Sequence, residues 1–112
     1  MIQVDSIEWA NDAWEVRSHI YEGIYQLPDY PVRITHLAYT DDVGVQSALK
    51  RLVRGLLERH MRRGAIPPHG LVMNWGRAAG VCQGARADLQ EACLVIAGTN
   101  LPEVARAVSS HF

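Results

Sequence analysis

Long apolar runs are missing from this chain of 112 residues. No stretch approaches the roughly 18 residues of a membrane span, which excludes a helical membrane anchor from the reading. Cysteine is scarce: Cys82 and Cys93 are the whole supply. Two cysteines make no disulfide framework, and free thiols in a reducing cytosol are the expectation. A basic stretch ahead of an apolar one is also missing. "MIQVDSIEWAND" brings acids early, so no signal peptide is read and a cytoplasmic location is expected. Lysine is nearly absent, one against ten arginines. That is the skew of GC-rich coding, as a bacterial source would give, and it carries no functional weight.

Chemical signatures are equally sparse. "GRAAGVCQG" (76–84) has neither the ending of a P-loop nor the spacing of a dinucleotide-binding turn, and it reads as a hairpin turn of small residues that carries Arg77 and Arg86. No nucleophile elbow, zinc-protease helix or cysteine–histidine pattern occurs. His60, His69, Cys82 and Cys93 lack the paired spacing of a structural zinc site, so no metal and no cofactor is expected. Helix-turn-helix, zinc-finger and aromatic RNA-binding patterns are absent too.

What is present is an ordinary globular composition, 48% hydrophobic and 21% charged. The length suits one domain over 1–112. Order along the chain suggests an α+β fold. "IQVDSIEW" (2–9) and "VRITHLAYT" (32–40) read as strands. Between them, 13–25 fits both periods. Trp14, Val16 and Ile20 share a face at period two. Ala13, Val16, Ile20 and Ile24 align at period 3.6, with Asp12 and Glu15 as a capping box, and this helical reading is slightly favoured. "QLPDYP" (26–31) reads as a loop. A long amphipathic helix covers about 43–63, capped by Thr40, Asp41 or Asp42 and closed by Gly64. "GLVMNW" (70–75) is a strand, 81–83 a short strand, and the apolar run "EACLVIAG" (91–98) a buried central strand. A final helix over about 101–111 follows Thr99 or Asn100. Two helices on one face of a mixed or mainly antiparallel sheet satisfy this order, with a ferredoxin-like arrangement and a curved sheet under one helix as candidates.

Charge is unevenly placed. The formal net charge is −1, yet residues 1–30 carry six acids and one base, while 31–63 carry seven bases and three acids. On the wheel of the long helix, Val45, Ala48, Leu49, Leu52, Val53, Leu56 and Leu57 make the apolar stripe. Lys50, Arg51, Arg54 and Arg62 lie opposite, around Glu58. Arg59, His60 and Arg63 rotate back toward the apolar side, so the helix should overhang the sheet after about Leu57. These six bases, Lys50, Arg51, Arg54, Arg59, Arg62 and Arg63, form the candidate interaction surface.

Three functions remain. The first is a non-catalytic binding or assembly module, acting as a homodimer through its acidic and basic segments. The second is a small enzyme or small-molecule-binding protein, with a pocket between sheet and long helix. There His36 would share the strand face of Val32 and Ile34 and act with Tyr39. The third is a nucleic-acid-associated protein using the basic helix face. A neutral domain argues against this third reading.

Overall fold

The computed structural model describes residues 1–98. Three strands come first: β1 (Ile2–Ala10), β2 (Ala13–Glu22) and β3 (Tyr25–Thr35). The helix α1 (Val43–Arg62) follows, then β4 (Leu71–Asn74), α2 (Trp75–Gly80) and α3 (Ala87–Gly98). The sheet order is β1-β2-β3-β4, antiparallel through β3 and parallel between β3 and β4. The fold is therefore α+β with a mixed sheet. Its βββαβ order departs from the βαββαβ order of a ferredoxin-like domain.

Residues 13–22 are strand, not the favoured helix. Asn11 and Asp12 both have positive φ (53° and 58°), which is the two-residue hairpin turn that suits twisted antiparallel strands. Asp12 is thereby unable to cap a helix. Burial follows period two: Trp14, Val16, Ser18 and Ile20 are buried, while Glu15, Arg17 and His19 face outward. Residues 26–31 also belong to a strand rather than a loop. Pro28 and Pro31 are tolerated because β4 pairs with β3 only from Val32 onward. That strand ends at Thr35, five residues before the expected Thr40, and His36 then takes φ 62°.

Two one-residue insertions keep the apolar face in phase. Ile2 and Val4 alternate on even numbers, Ile7 and Trp9 on odd ones. A bulge at Asp5 absorbs the change, because Val4 pairs with Ser18 and Ser6 with Arg17. A second bulge on β3, at Pro28–Asp29 opposite His19, reconciles Leu27 with Tyr30, Val32 and Ile34. The resulting inner face packs with the α1 stripe into one core. All seven stripe residues expected from the wheel are buried, and full burial along α1 stops at Leu57.

Asp42 is the N-cap of α1; its carboxylate accepts from the N–H groups of Gly44 (2.8 Å) and Val45 (3.2 Å). At the other end, Gly64 N–H donates to Met61 O and Ala65 N–H to His60 O, the paired bonds that close a helix with Gly64 at φ 65°. The return to β4 is tied to the sheet by Tyr30, whose hydroxyl donates to Pro67 O at 2.6 Å. Burial raises the Tyr30 phenol from 10.0 to about 12.

Residues 91–98 are helix rather than central strand, and 76–80 form α2 rather than a hairpin turn; 81–83 are turn. In α3, Ala92, Cys93, Ile96 and Ala97 are buried, while Leu94 is 58% exposed. One side of an apolar helix, not both faces of a strand, is covered. Cys82 and Cys93 are not free thiols. They are joined in a buried disulfide that pins the turn after α2 to α3. The helix expected over about 101–111 lies outside the described residues.

Candidate anion-binding groove

The outer sheet face explains the acidic N-terminal third. Asp5 Oδ2 lies 3.0 Å from His19 Nδ1, Arg17 lies 3.4 Å from Asp29, and Arg33 lies 3.4 Å from Glu15. Glu22 lies 3.4 Å from the N-terminal ammonium. Four of the six acids are thus satisfied beside the strands that carry them. The basic helix keeps its own charge.

That charge lines a groove of about 830 Å³ between α1 and the segment running from α2 into α3. One wall is the α1 row of Arg51, Arg54, Arg59, Arg62 and Arg63. The other is the turn Gln83–Ala85 with Arg86 at the start of α3. Positions 51, 54, 58 and 62 recur at helical spacing, and 59 and 63 continue the row, so one side of the helix presents them together. The helix rise spreads Arg51 to Arg62 over roughly 16 Å. The helices approach closely at Gly55, where an added Cβ would stand 2.6 Å from Leu89 Cδ2. The disulfide anchors the opposite wall at Cys82.

Two carboxylates lie in the groove, Glu58 and Asp88, against six arginines. Glu58 is 3.3 Å from Arg54, and Asp88 is 3.5 Å from Arg86. Among the described residues, Arg51, Arg59, Arg62 and Arg63 have no acidic partner. Arg59, Arg62 and Arg63 stand at the C-terminal end of α1, where the negative end of the helix dipole favours positive charge. Guanidinium groups arrayed this way donate paired hydrogen bonds to carboxylate or phosphate oxygens. Of the six bases expected on the interaction surface, five line the groove and Lys50 does not. Arg86 and the 83–85 turn were not legible as its second wall. The disulfide and the α1–α3 contact, both non-local, bring them there.

His36 is not buried between sheet and helix. It is exposed just beyond β3, with Nδ1 2.9 Å from Thr35 Oγ1. Tyr39 is 57% exposed and stacks on Trp14 at 5.7 Å, with Trp9 edge-on to both rings. Trp14 Nε1 donates to Ala38 O at 3.2 Å, so this aromatic cluster fastens the connection into α1. Neither His36 nor Tyr39 lines the groove. No helix among the described residues is long and apolar enough to cross a membrane. Among the same residues no three His, Cys, Asp or Glu side chains gather as a metal site would require. Compared with known families and proteins, the chain matches no family model, no curated protein and no solved structure.

Proposed function

We propose that this protein is a non-catalytic binding module whose α1–α3 groove takes an acidic segment of a partner protein. One observation carries the reading: among the described residues, six arginines line one concavity whose carboxylates are Glu58 and Asp88 alone. The partner is another chain rather than a second copy. Three of this chain's N-terminal acids, Asp5, Glu15 and Asp29, already have partners on the outer sheet face, where they are poorly placed to enter a neighbour's groove. The two groove carboxylates and the net charge of −1 suit a short acidic segment better than a long polyanion. The Cys82–Cys93 disulfide also fits an oxidising compartment better than the cytoplasm expected from the N-terminal sequence.

Each exposed ion pair is worth at most about 1 kcal/mol. Binding through the groove alone is therefore weak and falls steeply with salt. The test is fluorescence anisotropy with a labelled oligoglutamate peptide, at about 50 mM and about 200 mM salt. Binding should weaken with salt and disappear in Arg51→Gln/Arg59→Gln/Arg62→Gln, while Arg17→Gln on the far sheet face leaves it intact. Tighter binding of an oligothymidylate strand would replace the protein partner with nucleic acid. A dimer by light scattering that dissociates with salt would make the occupant a second copy.

A further inference from the structure

The groove does not end in solvent at its Arg62 end. A second depression, of about 570 Å³, shares Glu58 and Arg62 with it. Its apolar lining is Ile2, Ile24, Tyr25 and Met61, with the carboxylates Glu22 and Glu58 beside them. Ile24 is the odd residue here. It sits on the two-residue turn Gly23–Ile24 between β2 and β3, next to the paired Glu22 and Tyr25. Gly23, with φ 58°, supplies the conformation such a turn needs at its first position. Turn chemistry asks for a small polar residue at the second. The chain instead places a branched aliphatic side chain there, 89% exposed, the most exposed large hydrophobic residue described. Stability gives no reason for it, because a side chain so exposed buries nothing in the fold.

From this continuity we infer that the groove and the depression form one recognition surface for a peptide of two-part chemistry: an acidic run followed by an aliphatic anchor. The inference rests on the groove reading above. The acidic run pairs with Arg51, Arg59 and Arg62, and the anchor packs against Ile24, Tyr25 and Met61. Glu58 and Arg62, common to both depressions, mark the passage from one to the other. Ion pairs at this exposure supply steering and salt dependence, whereas burial of one leucine-sized side chain tightens binding by about tenfold or more. A nucleic-acid strand has no equivalent of the anchor.

The experiment compares oligoglutamate with the same peptide carrying a leucine pair, at one end and then at the other, as probes for the full chain. One leucine-tailed form should bind about tenfold more tightly than oligoglutamate. Ile24→Ser should remove that gain and leave oligoglutamate binding unchanged, and its exposure lets the fold accept the change. The amide resonance of Ile24 should shift with the tailed peptide only. If oligoglutamate binds but neither tail adds affinity, or if the gain survives Ile24→Ser, the two-part surface is overturned and the groove stands. If no peptide binds, the groove reading fails and the anchor with it.

Discussion

Replacing Tyr30 by phenylalanine should make the stability difference between variant and wild type vanish at high pH. The hydroxyl donates to Pro67 O at 2.6 Å, and the ring is 1% exposed. At neutral pH the substitution removes one hydrogen bond and leaves a carbonyl without its donor, a loss of about 1 kcal/mol. The wild type has a liability the variant lacks. Its phenol is raised to about 12 by burial, against 10.0 when unfolded. An acid whose folded pKa is raised holds its proton better in the native state. Its contribution is therefore complete below pH 10 and drains away between pH 10 and about 12. Each unit of difference is worth about 1.4 kcal/mol, so by pH 11 wild type has lost about that amount. Every other titrating group is common to both proteins and cancels in the comparison. Urea denaturation followed by fluorescence of the buried Trp14 and Trp75 reads both stabilities. The variant should be about 1 kcal/mol less stable at pH 7 and level with wild type, or slightly above it, by pH 11. A difference that stays constant from pH 7 to pH 11 would refute the burial argument.

Two further substitutions test the frame that holds the groove. Gly70 has φ 140°, and a Cβ there would stand 2.9 Å from Pro31 O, so Gly70→Ala should cost about 1–3 kcal/mol in a denaturant titration; an unchanged midpoint would show that β3 and the strand entry are not held so close. The Cys82–Cys93 bond closes a separation of 11 residues, so Cys82→Ala/Cys93→Ala should lose about 3 kcal/mol, and a reducing agent should lower the stability of wild type but not of the variant.

The long helix was legible almost to the residue. Its stripe and its Gly64 closure are local signals that stand where the wheel and the capping rules put them, and of the three cap candidates Thr40, Asp41 and Asp42 it is Asp42 that caps. Segments 13–25 and 91–98 were not, for two different reasons. In the first, Ser18 interrupts the apolar alternation; it is buried because its hydroxyl donates to Tyr30 O at 3.1 Å, a partner on another strand. In the second, a run of apolar residues satisfies strand and helix alike, and only packing against α1 decides that one side stays open. The groove was half legible for a related reason. Its arginines lie on one helix, but its other wall is delivered by a disulfide and a helix contact that spacing does not announce.

The extra residue at Asp5 reaches beyond register. Among the described residues β1 is an outer strand, with β2 on one side and no strand on the other. A flat row of backbone groups along such an edge is a template on which a second copy of the strand can grow, chain upon chain. The bulge breaks the row halfway along, twists the two halves out of line, and places a carboxylate at the break. Deleting that single residue would turn Ile2 and Val4 outward and straighten the edge in the same step. The irregularity that keeps the apolar face in phase thus also makes the margin of the sheet a poorer template for strand-by-strand growth.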